Sequence, residues 1–404
     1  MKLTTSFADI AALEDRFQLA TYKKMPIVAA RGEGVWLYGN DGEKYLDLYG
    51  GHAVCGTGHS HPHVVAAIRE QSERLLFYSN LVHSETRARA AEKLVSIAPK
   101  QLRKVFFCNS GTEANENAMR SARIATGRQN IITFSGGFHG RTADAISATF
   151  LGRYRELGKP NVPGHLQAQF GDIESVQMIA DDSVAAIMLE PIQSMAGVRT
   201  AEPGFFQALR DLCNERGIVL IYDEVQTGIG RTGEWFFAGG EAGGGIVPDV
   251  LTLAKALGSG IPVGACLVSE EIAFHIKEND LGTTFGGGMI AMAAVNATIQ
   301  AIEQDGMLAN VRTVEKHLRQ RLAKVPEVVR VRGCGFLLGL EFKENTAPIH
   351  AALLERRIIT GTSSDPKVLR LLPPFCLSNE EADLFAMELE EILNPINVKE
   401  RRLD

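Results

Sequence analysis

No run of basic residues occurs in the 404-residue chain, and its formal net charge is −6. Nucleic-acid-binding domains ordinarily carry a basic stripe, so that class of partner is disfavoured. Cysteine is scarce and scattered, with six residues at 55, 108, 213, 266, 334 and 376 and no CxxC pair. The pattern fits no disulfide frame, and reduced thiols in a cytoplasmic protein are the expectation. The opening MKLTTSFADIAALEDRF lacks the apolar core of a signal peptide. Long apolar runs are missing too. VLTLAKALGSGIPVGACLV (250–268) has nearly the length of a membrane span, but its lysine, three glycines, proline and serine make it a poor one. What remains is ordinary for a globular protein: 45% hydrophobic and 22% charged residues, in a chain long enough for two or three domains.

The only charge in the 250–268 stretch is Lys255. A lysine on a solvent-facing turn is the common case. A buried ammonium without a partner tends instead to lose its proton, and a neutral, shielded lysine is what Schiff-base chemistry requires. The rest of the chain bears on that choice. VFFC (105–108), NIITF (130–134), SVAAIML (183–189), GIVLIY (217–222) and VGACLVS (263–269) are short continuous apolar runs. Between them lie helical stretches such as EANENAMRSARIATG and PGFFQALRDLCNERG. This alternation predicts an α/β fold with a mostly parallel sheet flanked by helices. GVWLYGNDGEKYLDLYG holds an NDG hairpin turn, and VVRVRGCGFLLGLEF alternates like an antiparallel strand. A large domain over 51–290 is expected, with a smaller α+β domain assembled from 1–50 and 291–404.

Ligands of open α/β sheets bind beyond the carboxyl ends of the strands. There this chain places NSGTEANE, SGGFHGRT, EPIQ, DEVQTGIGRTG and Lys255. Ser110, Gly111 and Thr112 offer amides and hydroxyls at a helix start, which serves equally as a cap or as an anion site. Asp223 follows an apolar strand and wants a cationic partner, structural or functional. Phe138 is ordinary core or a flat cover for a ring, while His139 and Arg141 beside it are harder to dismiss as packing. Together these groups meet the needs of pyridoxal phosphate: a lysine, an acid for the ring nitrogen, an anion cradle and a flat face.

At these motifs, in this order, the sequence resembles the class III pyridoxal-phosphate aminotransferases of fold type I, near the acetylornithine and ornithine aminotransferases. The similarity runs from RGEGVWLYGNDGEKYLDLYGG to VLRLLPP. It implies Lys255 as the Schiff-base residue, Asp223 at the pyridine nitrogen, Phe138 on the ring and Gln226 near the ring hydroxyl. Ser110, Gly111, Thr112, His139 and Glu190 complete the cofactor set, with Thr284 reaching across from a second subunit of a homodimer. Arg370 matches the arginine that grips a substrate carboxylate, and Arg141 a second carboxylate contact. The implied reaction moves an amino group from an amino-acid or ω-amino donor to a 2-oxo acid such as 2-oxoglutarate or pyruvate.

Two departures stand out. The segment that usually reads EPIQGEGG is EPIQSMAG here, so Met195 stands where an acid usually pairs with the arginine. Arg370 is then left open to a carboxylate, swung out to solvent, or given another partner. FGGGMIA replaces a GGNP sequence next to Thr284. A decarboxylating transaminase, racemase or aminomutase would use the same lysine and aspartate. A regulator built on this domain would need a DNA-binding module, for which no basic helix is present. His59, His61 and His63 alternate, but a proline interrupts them and no acid or cysteine stands among them, so no metal is expected.

Overall fold

The NDG turn and the alternating residues around it open the fold. In the computed structural model, which describes residues 6–394, strands β1 (Ala29–Glu33), β2 (Trp36–Gly39) and β3 (Lys44–Asp47) form an antiparallel ribbon. The NDG segment turns between β2 and β3, closed by the Gly42 amide donating to the Gly39 carbonyl at 3.1 Å.

The apolar runs that follow become β4 (Leu102–Cys108), β5 (Asn130–Phe134), β6 (His165–Ala168), β7 (Val184–Leu189), β8 (Val219–Asp223), β9 (Val250–Leu253) and β10 (Gly264–Ser269). They make one sheet in the order β4-β10-β9-β8-β7-β5-β6. Every residue of β7 and β8 is buried, because helices cover both faces. On one face Ile131, Ala186 and Ile221 pack against Ala118, Met119 and Ala122 of helix Gly111–Thr126. On the other, Ile132, Ile187 and Leu220 share a core with Phe205, Phe206 and Leu209 of helix Pro203–Arg216. That helix stops at Gly217, whose φ of +60 takes the left-handed cap that glycine tolerates.

Neighbours among β5 to β9 pair in parallel, as the alternation of strands and helices predicts. β10 runs antiparallel to both β4 and β9. The link from β9 to β10 is a short turn with no crossover helix, and a parallel return needs a longer connection. The sheet is therefore mixed with one reversed strand, which leaves the carboxyl ends of β4 to β9 on one edge.

The C-terminal part refines one expectation. VVRVRGCGFLLGLEF is antiparallel as expected, but it folds as a hairpin of two strands, β11 (Val328–Cys334) and β12 (Leu337–Phe342). Its turn presses Gly335, at φ +58, onto the backbone of Arg231 and Thr232, where a side chain would clash with the Arg231 carbonyl. β13 (Ile358–Ile359) joins β3 in parallel, and β14 (Val368–Leu371) completes a three-stranded sheet with β11 and β12. One sheet thus combines the N-terminal ribbon with a C-terminal strand. Residues 1–5 and 395–404 of the expected smaller domain lie outside the described residues. No helix among the described residues is long and apolar enough to cross a membrane.

Candidate active site

The strand ends and their loops enclose a cavity of about 530 Å³. All the residues named above for cofactor or substrate line it except Thr284. Lys255 begins the turn after β9 and carries φ +35, a left-handed conformation rare for a residue with a side chain. Holding it there costs about 1–3 kcal/mol, a strain characteristic of functional positions. The ammonium has no hydrogen-bond or ion-pair partner among the described residues. Burial pushes its pKa down, against the pull of Asp223 and Glu190.

Asp223, at the end of β8, is buried and held from two sides. Its Oδ2 accepts from Asn115 Nδ2 at 2.7 Å and from His139 Nδ1 at 2.8 Å, and its Oδ1 accepts from the Val225 amide at 3.1 Å. Asn115 also donates to the His139 carbonyl and accepts from Thr252 Oγ1, so its amide orientation is fixed. Asn115 was not anticipated from sequence. The available signal was a polar residue on the helix face that otherwise shows Ala114 and Ala118 to the sheet. Glu190, beyond β7, accepts the Phe138 amide at 2.8 Å, and burial beside Asp223 raises its pKa.

The Ser110–Gly111–Thr112 turn caps helix Gly111–Thr126, with Ser110 Oγ accepting from the Glu113 amide. Its first amides face the cavity end without intrahelical partners. Thr142 Oγ1 donates to Glu116 Oε1, so the 2.6 Å contact between the two threonine hydroxyls commits the Thr112 proton to Thr142. What Thr112 offers an anion in this arrangement is its backbone amide. Gly140, at φ +138, lets the SGGFHGRT loop lie against Thr112, which any Cβ there would strike. Phe138 stands edge-on to Tyr154, and exposed Arg141 stacks over the same tyrosine.

Arg370, on β14, comes in from the C-terminal sheet and is 2% exposed. No carboxylate pairs with it among the described residues. Its Nε donates to the Thr362 carbonyl at 2.7 Å, Nη1 to Ser194 Oγ at 3.0 Å and Nη2 to the Tyr49 hydroxyl at 2.6 Å. Of the three arrangements the methionine left open, the arginine takes that of another partner, and the partners are neutral. Met195 lines the cavity beside it and offers no charge. Tyr49, Ser194 and His52 were not among the sequence candidates. His52 sits in a left-handed stretch with Gly50, Gly51 and Ala53, and burial together with Arg370 and Lys255 lowers its pKa.

Thr284 is exposed and lies outside this chain's cavity. Its neighbour Thr283 instead accepts from Asn109 Nδ2 at 3.1 Å and from the Gly286 amide. The three alternating histidines go to separate partners: His59 to Asp47, His61 to Asp305 and His63 to Gln300. The partners of His61 and His63 come from distant parts of the chain, which sequence neighbourhood could not reveal.

The family profile for aminotransferase class-III matches residues 18–393. The chain belongs to the class III aminotransferases. An acetylornithine aminotransferase of Methanopyrus kandleri is 41% identical, with 95% of this chain and 99% of that protein covered. A [LysW]-aminoadipate semialdehyde transaminase of Deinococcus radiodurans is 35% identical over 97% of this chain and 91% of its own. Among solved structures, the ornithine aminotransferase of Toxoplasma gondii superposes with a TM-score of 0.90 at 25% identity, covering 98% and 97% of the two chains. The acetylornithine aminotransferase of Elizabethkingia anophelis gives 0.83 at 26%, covering 96% and 99%. The fold is that of the fold type I aminotransferases, and the activity class is amino-group transfer.

Proposed function

We propose that this aminotransferase uses pyridoxal phosphate held by Lys255, and that its amino donor differs from that of the acetylornithine type. The carrying observation is Arg370, buried and facing the cavity without an acid. The residues present fit the cofactor. Gln226 Oε1 is buried with no hydrogen-bond partner, as suits an acceptor for a ring hydroxyl. Asp223 Oδ1 keeps acceptor capacity beyond the Val225 amide, and the first amides of helix Gly111–Thr126 suit a phosphate. When bound, the group would supply an electron sink for the charge left as a Cα proton departs.

The remaining chemistry falls to the chain. Asp223 would hold a proton on the ring nitrogen, with Asn115 and His139 keeping its carboxylate in place. Lys255, its pKa lowered, would serve as the neutral amine that takes and returns the Cα proton. Phe138 would cover the ring face, and Arg370 and Arg141 would orient substrate carboxylates. A homodimer with Thr284 reaching the partner's phosphate site belongs to the same reading, supported by its exposure on this chain. α-Amino acids, whose carboxylate sits on the reacting carbon, or more apolar amines, are favoured over N-acetylornithine, whose carboxylate lies away from its reacting terminal amine, with a 2-oxo acid as acceptor.

A half-reaction tests this. Cofactor-loaded protein is mixed with N-acetylornithine or with an α-amino acid, without acceptor, and the absorbance of lysine-bound cofactor is followed. The band should persist with N-acetylornithine and collapse with a carboxylate-bearing α-amino donor. Equal collapse with both would remove the basis for altered specificity, and no band at all would sink the cofactor assignment. Release of carbon dioxide would mark decarboxylating chemistry instead.

A further inference from the structure

Arg370 is where the three sheets meet. The arginine is on β14, Tyr49 follows β3 and Ser194 lies in the loop beyond β7. We propose that Ser194 and Tyr49 are positioning residues that hold Arg370 in one carboxylate-receiving pose throughout both half-reactions. Donor and acceptor alike would then carry a carboxylate on the reacting carbon: an α-amino acid and a 2-oxo acid. This rests on the transaminase reading and narrows its substrates.

A guanidinium carries five N–H groups. The Thr362 carbonyl takes the one on Nε and fixes the plane, while the two hydroxyls take one from each terminal nitrogen. One N–H is left on each of Nη1 and Nη2, matching the two oxygens of a carboxylate. Backbone bonds in both directions to Gly361 hold the arginine's own strand. The Ser194 loop is tied down as well, since the Met195 carbonyl accepts the Ser364 amide at 2.8 Å.

Both partners are neutral acceptors. Ser194 is fully buried, and burial raises the Tyr49 pKa, so the phenol keeps its proton. A buried cation among neutral partners is an incomplete ion pair that a ligand carboxylate can complete. An acid at 195 would compete for that place. A hydroxyl at 194, where the family segment carries glycine, orients the arginine without competing.

The test is calorimetric titration of cofactor-loaded protein with succinate, a dicarboxylate that cannot be transaminated. Wild type, Ser194→Ala, Tyr49→Phe and the double variant are compared, with melting temperature and cofactor affinity as controls. Each single change should weaken succinate about five- to tenfold, the net worth of one ordinary hydrogen bond, and the double change should weaken it further. KM for an α-amino donor should rise in step, with kcat changing less. Wild-type succinate affinity in a well-folded double variant would overturn the proposal. So would failure of the wild type to bind succinate. If the double variant does not fold, the single variants carry the same comparison. A missing lysine–cofactor band refutes the transaminase reading separately, and the succinate titration, run on the protein without cofactor, then still decides whether the two hydroxyls position Arg370.

Discussion

The two walls of the cavity are built differently. Toward the large sheet, Asp223 is held by Asn115, His139 and the Val225 amide, and charges of both signs face each other across a short space. On the opposite wall the hydrogen-bond partners of Arg370 among the described residues are two hydroxyls and a carbonyl. On the first wall the aspartate is already held by hydrogen bonds before any substrate arrives. The second is a half-made ion pair. A closed network suits a cofactor that stays through every turnover, whereas an open cation suits a substrate that must come and go.

The largest effect should come from breaking the closed wall. Asp223→Asn keeps the shape but removes the charge that would hold a ring proton, and kcat should fall at least about a hundredfold. Stopped-flow half-reactions would show the loss in proton removal, with the lysine–cofactor band still forming. An unchanged rate would mean that the aspartate is only a structural anchor for Asn115 and His139.

Next is the open wall. Met195→Glu puts an acid where it can capture Arg370, converting an open cation into a closed pair. Affinity for a carboxylate-bearing α-amino donor should fall about tenfold, and N-acetylornithine should gain relative to it. Donor preference measured as a ratio of kcat/KM reads this directly. No change in the ratio would show that donor choice is set elsewhere, with His52 the next residue to test.

How legible each wall was from sequence follows the same division. The strand ends, Lys255, Asp223 and the Ser110–Thr112 turn could be placed because their chemistry lies in contiguous motifs. Tyr49 and Ser194 could not, because their partner Arg370 is far away in sequence and only the assembly of three sheets brings them together. The reversed strand β10 was missed for a related reason: an apolar run has no direction, and only the length of its connection sets one. The strain at Lys255 leaves no trace in composition at all.

Asn115 tests whether the first wall is rigid because of the bonds around Asp223. Its amide satisfies Asp223, the His139 carbonyl and Thr252 together, all buried. Asn115→Ala would leave those groups short of partners and should destabilise the fold by about 1–3 kcal/mol, seen in denaturant unfolding. Ser194→Ala, by contrast, removes an acceptor from a guanidinium that retains two others, so its unfolding midpoint should move less. A reversed order of the two variants would overturn the distinction between a closed and an open wall.

The smallest effect concerns the loop that carries Tyr49 to the arginine. Asp47 caps this loop by accepting the Tyr49 and Gly50 amides through Oδ1, while His59 Nε2 meets its Oδ2 at 2.8 Å. Hydrogen bonding to Asp47, and then to Cys55, raises the His59 pKa from 6.5 to about 10. A folded-state pKa above the unfolded one means the proton is bound more tightly in the folded protein. The stabilisation is therefore complete below about 6.5 and is lost as pH rises through about 10. His59→Gln should melt about a degree lower than wild type at pH 6, roughly what one partly exposed pair contributes in a chain of this size. The gap should close by pH 10. Succinate affinity should follow the same course, because loosening Asp47 frees the Tyr49 end of the open wall. A melting gap independent of pH would show that His59 supports the loop by packing, leaving the open wall indifferent to its charge.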